Sequence, residues 1–542
     1  MPLSVLQGIP HPLALLRDYL IRWRPPTNRV LKGAAFLKGL DVVENESFYS
    51  NYVDRNGKRS FCYRTGLGPR ATETIVDLTA ALKNASISFF RGGGADDWMK
   101  SIHIASRDTR LLIDLLRRKF GANASILVKL SDGEVVSCGD LGSKPAHYRQ
   151  TRLTVLCVEK KAEASSTLAC SWIGINIWKE VQGYSSQRIF ETATFGPHLR
   201  RLRAETLERF LCDNTDIDVI DHNLGATPRF PIDVVYTWVN DKDPEWRKQK
   251  ELYSGKAESN SDLSRSNLDE RFTNRDELKY SMRSIELFAP FVRNIYLVTN
   301  GQIPSWLNTQ NPRIKVVPHS EIYSKQDHLP TFNSSSIETQ LHHIDGLAEH
   351  FLYFNDDFFL GDFCLPEDFF FANGAMKYFA AEQRAFEHDI DGTSEEYIAA
   401  DANALALLKD HFGAFTRELM IHAPYPALRS VLYAMEEQFA CSFDACASRR
   451  FRSHDDLRPI AFMQYHFGYQ TRQAIPATIS NRYLALWKPG IDRLFGDLLE
   501  NRRYKTFCIN DVGIAPSRTN WTNKQVEHFL RSYFPFKSSF EK

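Results

Sequence analysis

The sequence predicts an α/β protein organised around a mostly parallel sheet, and three observations carry that prediction. From residue 230 onward, short apolar strands alternate with segments of helical period. Three of those strands end in Asn and Asp clusters. The stretch Phe351-Leu-Tyr-Phe-Asn-Asp-Asp-Phe-Phe-Leu360 interrupts a greasy strand with two adjacent carboxylates. Strands alternating with helices build crossover units and a parallel sheet. Crossovers bring the carboxyl ends of the strands to one edge, where open α/β sheets bind ligands.

Composition narrows the class. At 542 residues the chain exceeds one ordinary core and suggests several domains. A hydrophobic content of 43% indicates a folded protein. Lys and Arg number 67 against 66 Asp and Glu, so the net charge of +1 offers no general field for nucleic acid. No run approaches the roughly 18 apolar residues of a membrane span, and the N-terminus lacks a signal-peptide pattern. The nine scattered cysteines contain no CxxC pair and fit a reducing cytoplasm.

Residues 1–30 read as an amphipathic segment. Leu13, Leu16, Tyr19, Leu20 and Trp23 lie on one side of a short helix flanked by Arg17, Arg22 and Arg24. That pattern suits peripheral contact with a membrane surface or docking on the protein itself. Residues 31–225 form an accessory α/β region with strands expected at 86–90, 125–129 and 153–158 and a helix over 109–120. The Gly92-Gly-Gly94 run lacks the strand and helix context of a nucleotide fingerprint.

Over residues 226–515, a strand at 232–239 runs into Asn240 and Asp241. A helix over 274–288, with Thr273 and Asp276 approximating a capping box, precedes a strand at 294–299 that ends in Asn300. Another strand follows at 314–317. Ile337, Leu341, Ile344 and Leu347 predict a second helix over 334–349, opened by serines suited to N-capping. It leads into the strand ending at Asn355, Asp356 and Asp357. This β–α–β–β–α–β order predicts a Rossmann-like sheet. Helical period continues over 426–439, a short strand is expected at 504–509, and residues 516–542 form a helical tail.

Several residue types invite chemistry. Asp356 and Asp357 end a buried strand, where aspartate is costly without a compensating cation; carboxylates of this kind suit Mg²⁺ carrying phosphates. Asp233, one residue into a buried strand, either accepts backbone N–H bonds or orients a ligand. Glu338 and His342 stand four apart, on one face of the expected helix. His422 lies in a proline-fixed turn and is locally the only proton acceptor near neutral pH. Arg452 and His454 sit in a dense mix of cations and acids, which reads as a phosphate clamp or a solvated cluster. Arg275, Lys279 and Arg283 make a basic stripe of the kind that usually faces solvent.

Together these segments resemble the Stealth family of capsular-polysaccharide phosphotransferases, which includes the catalytic subunit of the N-acetylglucosamine-1-phosphotransferase that tags lysosomal enzymes. The resemblance rests on Ile232-Asp-Val-Val-Tyr-Thr-Trp-Val-Asn240, on Arg275-Asp-Glu-Leu-Lys-Tyr-Ser-Met-Arg-Ser-Ile-Glu286 with Asn355-Asp-Asp357, on His422-Ala-Pro with Phe451-Arg-Ser-His-Asp-Asp456, and on Cys508-Ile-Asn-Asp511. It implies a nucleotide-sugar transferase-like fold and transfer of a sugar-1-phosphate from a nucleotide sugar, such as UDP-GlcNAc, to a glycan hydroxyl, with a nucleoside monophosphate leaving. On that basis His422, Arg452, Asp233 and Glu338 are catalytic candidates and Asn240, Asn300 and Asn355 line the donor pocket. Asp356, Asp357 and Asp511 would hold Mg²⁺ or Mn²⁺. The implied partners are the nucleotide-sugar donor, the glycan acceptor and capsule-export machinery at the membrane. A metal-dependent glycosyltransferase releasing a nucleoside diphosphate is the alternative, followed by a non-catalytic glycan-binding protein.

Overall fold

The computed structural model describes residues 49–54, 56–66, 68–92, 100–162, 166–182, 188–192, 201–213, 228–254, 275–385, 395–413, 417–510 and 518–542. The amphipathic segment 1–30 and Asp511 lie outside the described residues. No described helix is long and apolar enough to cross a membrane.

The accessory region forms a ten-stranded mixed sheet between Tyr49 and Arg203. The expected strands are found as Phe89–Gly92, Ile126–Leu130 and Arg152–Lys161, and the helix as Thr109–Phe120. The longest strand, Thr167–Gln182, was not predicted. It pairs with four neighbours and buries both faces, so it lacks the alternating polarity that marks a half-exposed strand. Tyr63 and Ala169 join the core of the catalytic region. There the buried guanidinium of Arg502 lies 4.1 Å from the Tyr63 ring and 3.8 Å from the Tyr533 ring. A cation held between two aromatic faces ties the accessory sheet to the catalytic body.

The catalytic sheet contains β1 (Ile232–Thr237), β2 (Val292–Thr299), β3 (Ile314–Pro318), β4 (His350–Phe354) and β6 (Tyr425–Leu428). Their spatial order is β3-β2-β1-β4-β6. The first four are parallel and β6 runs antiparallel to β4. After β3 the chain crosses back to place β4 on the other side of β1. The crevice between the carboxyl ends of β1 and β4 is therefore a topological switch point, the usual ligand position in such sheets. A second sheet of β5 (Phe358–Leu360), β8 (Thr506–Asn510) and β7 (Asn481–Ala485) begins after the three residues that follow β4.

Three helical expectations change. The helix α1 spans Glu277–Phe288 and starts from Asp276 in a left-handed conformation, with no side-chain cap. The helix expected over 334–349 is only α2 (Ser334–Glu338), capped by the Asn333 side chain, followed by a 3₁₀ turn at Leu341–His343. The segment 426–439 opens as β6, and the helix α3 covers Arg429–Gln438. Pro426 lacks an N–H donor but sits on an edge strand, where none is needed.

The basic stripe on α1 does not face solvent. Arg283 donates to both carboxylate oxygens of Glu541 at 2.8 and 2.7 Å, and Arg275 Nε donates to Asn523 Oδ1 at 2.6 Å. The C-terminal helix α4 (Thr519–Tyr533) buries Val526, Phe529, Leu530 and Tyr533 in the catalytic core.

Candidate active site

The carboxylates sit where the chain leaves one sheet for the other. Phe358 N–H donates to the Asn355 carbonyl at 3.2 Å, closing a tight turn that holds Asp356 and Asp357 at the carboxyl edge. β8 flanks this turn: Ile509 N–H donates to the Asp357 carbonyl at 3.1 Å, and the Cys508 thiol donates to Asp357 Oδ2 at 3.3 Å. Phe358 pairs with Cys508, so Asn510 comes alongside the carboxylate pair as β8 ends.

His422 enters from the opposite strand. The β4–β6 ladder ends at Tyr353 opposite Tyr425, so the segment leading into β6 starts beside the residues leaving β4. The His422 ring stands 6.5 Å from that of Phe358, the residue after Asp357, and 5.2 Å from that of Tyr483 in β7. Burial, reinforced by the Arg458 cation, holds its imidazole down at about 4. It is neutral throughout the physiological range.

A layer of charge lies beneath. Glu338 is buried and accepts from Ile460 N–H at 3.1 Å; that donor has no intrahelical acceptor because Ile460 lies in the first turn of the π-helical segment Pro459–Met463. Burial raises the Glu338 pKa, while Arg458 and Arg452 oppose the shift. Arg452 Nη2 donates to Ser334 Oγ at 2.9 Å at the start of α2. Its loop is anchored by Asp456, which accepts from Asn333 Nδ2 and Ser453 N–H, both at 2.9 Å. Arg458 reaches both oxygens of Asp401 at 3.1 and 2.9 Å. Burial works against its charge, but Asp401, Tyr425 and Glu338 more than restore it. Tyr425 lies within the fields of Arg458, Glu338 and Asp357 and so links the two halves of the site.

Two contributors were not singled out in the sequence. Glu277 is buried at the start of α1, and burial with the nearby Asp356 charge raises its pKa to about 7, despite Arg275 at 3.5 Å. A third carboxyl therefore lies within the field of Asp356. Arg458 is the second; neighbouring Arg452 drew the attention because it lies in the dense cationic motif. Only the fold brings Asp401 to Arg458, so no local pattern marks it.

The strand-end amides are also at this edge. Asn240 is held by Gln302, which accepts from its N–H at 2.8 Å and donates to its carbonyl at 3.2 Å. This ties together the loops after β1 and β2. Asn300 Oδ1 and Asp241 Oδ1 are buried and accept from no described residue. The side-chain atoms that Asp356, Asp357, Glu277 and the strand-end amides offer as ligands are oxygens. That set fits a hard divalent cation.

Two predicted residues fall elsewhere. Asp233 stands near the amino end of β1, roughly 13 Å along the strand from its carboxyl end at about 3.3 Å per residue. Its oxygens accept from Arg293 Nε at 2.9 Å, Arg293 Nη2 at 2.6 Å, Asn294 N–H at 3.1 Å and Ala348 N–H at 2.8 Å. It locks the far end of the sheet. His342 does not share a helical face with Glu338, because α2 ends between them; it bonds instead to Glu436.

Comparison with known families decides the kinship. Stealth conserved region 1 matches residues 230–258, region 2 matches 271–378, region 3 matches 421–468 and region 4 matches 497–542. The chain belongs to the Stealth family. The Stealth regions contain every described residue of the site except Asp401 and Tyr483, and region 4 extends through α4. An exopolysaccharide phosphotransferase of Streptomyces coelicolor is 42% identical over 530 residues, covering 88% of this chain and 85% of that protein. The capsular polysaccharide phosphotransferase SacB of Neisseria meningitidis serogroup A is 33% identical over 329 residues, covering 59% of this chain and 58% of SacB. The galactosyltransferase LgtC, solved with donor and acceptor sugar analogs, aligns with 56% of this chain and 96% of its own at 8% identity and a TM-score of 0.28, too slight a likeness to carry weight.

Proposed function

We propose that this protein transfers a sugar-1-phosphate from a nucleotide sugar, with a UDP-sugar such as UDP-GlcNAc as donor, to a hydroxyl of a capsular or exopolysaccharide acceptor. One observation carries the reading: Asp357 and His422, far apart in sequence, come together at the carboxyl edge of the sheet, with the His422 ring 6.5 Å from that of Phe358, the residue after Asp357. The names of the Streptomyces and Neisseria relatives support the substrate class.

In this reading the acceptor oxygen attacks the phosphorus bonded to the sugar. A new P–O bond forms, the bond to the bridging oxygen breaks, and the nucleoside monophosphate departs with that electron pair. Positioning and electrostatics do nearly all the work in such transfers. Asp356 and Asp357, joined by Glu277 and Asp511, would hold Mg²⁺ or Mn²⁺, which when bound neutralises the diphosphate. Asn240, Asn300 and Asn355 line the donor side. Arg452 balances charge on the transferring phosphate. His422 takes the acceptor proton. Its low proton affinity keeps it unprotonated before the donor arrives, and the incoming phosphate charge raises that affinity toward the working range. Glu338 and Arg458 hold the floor of the site. Asp233 holds the sheet that carries it and does no chemistry.

The test pairs two variants. His422→Ala should lose about 10²- to 10⁴-fold in turnover, the usual contribution of a general base, and still bind donor. Asp357→Ala should lose metal-dependent donor binding, measured by calorimetry. Near-normal turnover in both would remove the assignment.

A further inference from the structure

A second cluster of metal-binding side chains lies outside the cleft. His342 and His343, adjacent in the 3₁₀ turn after α2, both aim Nε2 at one oxygen of Glu436 on α3. The separations are 2.8 Å for His342 and 2.9 Å for His343. The ligand atoms of all three side chains lie within 4.8 Å of one another. We propose that His342, His343 and Glu436 form a binding site for a borderline-soft dication of the zinc type, distinct from the all-oxygen site at Asp356 and Asp357.

Four features support the assignment. Two imidazoles and a carboxylate match the ligand preference of Zn²⁺ and not of Mg²⁺, which takes oxygen donors and keeps its waters. The His343 Nδ1 lies 3.1 Å from the Ile322 carbonyl. Donating that N–H fixes the tautomer with Nε2 as the free ligand atom, the arrangement that accompanies most metal-bound histidines. The His342 side chain is completely buried, so its direction is set by packing, with Tyr433 edge-on at 4.6 Å. Glu436 and His343 remain 32% and 22% exposed, which leaves a solvent-facing position for a fourth ligand. Tetrahedral coordination at about 2.0–2.2 Å places ligand atoms roughly 3.3 Å apart. The two His–Glu separations of 2.8 and 2.9 Å open toward that value by a small movement of the partly exposed Glu436 side chain. Arg429 lies nearby, but its Nε is committed to the His342 backbone carbonyl at 2.7 Å.

The cluster sits away from the cleft. Its turn lies between Glu338 and β4, and Arg429 follows Leu428, which pairs with His350 at the amino end of β4. A bound ion would clamp α3 to the segment leaving Glu338. It would thus fix the site's floor without touching substrate.

The experiment uses the full chain freed of metal by chelator and then saturated with Mg²⁺ to fill oxygen sites. Zn²⁺ is titrated by calorimetry. One saturable Zn²⁺ site per chain is expected, and Asp357→Asn should leave it unchanged. His343→Asn and Glu436→Gln, both at half-exposed positions, should weaken it by more than the roughly 10- to 100-fold typical of outer-shell changes. X-ray absorption at the zinc edge of the wild-type protein, independent of any variant, should show two nitrogen ligands from imidazole. A cluster held only by protons would show no such site, or binding that both variants leave intact. Either result overturns the proposal.

Discussion

Asp233→Asn separates a structural role from a catalytic one. The aspartate accepts four hydrogen bonds through two oxygens, and asparagine offers one oxygen and an NH₂. Whichever way the amide turns, its NH₂ faces Asn294 N–H or Ala348 N–H, and a part-buried backbone donor loses its acceptor. That costs about 1–3 kcal/mol. The lost charge pairing with Arg293 adds only about 1 kcal/mol, because the Arg293 side chain is 43% exposed and resolvates. The variant should therefore lose about 2–4 kcal/mol of stability. Urea unfolding should show a lower midpoint with the slope unchanged. Turnover per folded molecule and the donor KM should stay within about twofold of wild type. An unchanged midpoint together with a turnover loss above about 100-fold would refute this and put Asp233 back into the chemistry.

Two further outcomes follow from the electrostatics. Arg458→Gln made together with Asp401→Asn removes the cation beside His422 without leaving Asp401 as an unpaired buried carboxylate, while Arg452 still faces Glu338. The His422 pKa, read from its imidazole NMR resonance, should then rise above about 4; an unmoved value would show that Arg458 does not act on it. His103 is fully buried, accepts from Trp178 Nε1 at 3.2 Å, and is pushed down to about 3 by burial. Its folded pKa lies below the unfolded 6.5, so its contribution is complete above pH 6.5 and is lost as pH falls toward 3. Against a His103→Phe reference, wild type should lose about 2 kcal/mol of relative stability between pH 7 and pH 5. A constant difference would show that His103 titrates normally.

Much of the cleft was legible in the chain because its residues break local rules. Paired aspartates ending an apolar strand, and a histidine just ahead of two prolines, stand out against the residues around them. β1 to β4 were recognised because the period changes from strand to helix and back. What escaped recognition depends on pairing between distant segments. Arg458 matters through Asp401, more than fifty residues away in sequence, and Glu277 through Asp356. The Ile337-Leu341-Ile344 spacing fits a helix, yet Glu338 and His342 bond to different partners, and the chain leaves α2 for a 3₁₀ turn that carries His342. Asp233 shows the opposite error. A buried aspartate in a strand has two explanations, and only the observed donors from Arg293, Asn294 and Ala348 decide between them.

The fate of the phosphorus attached to the donor sugar tests the proposed chemistry most directly. A nucleotide sugar carrying radioactive phosphorus at that position is incubated with the protein, Mg²⁺ and glycan acceptor. The label should appear in the glycan while unlabelled nucleoside monophosphate is released. Label recovered in nucleoside diphosphate, with sugar transferred alone, would contradict the account and make the protein a glycosyltransferase.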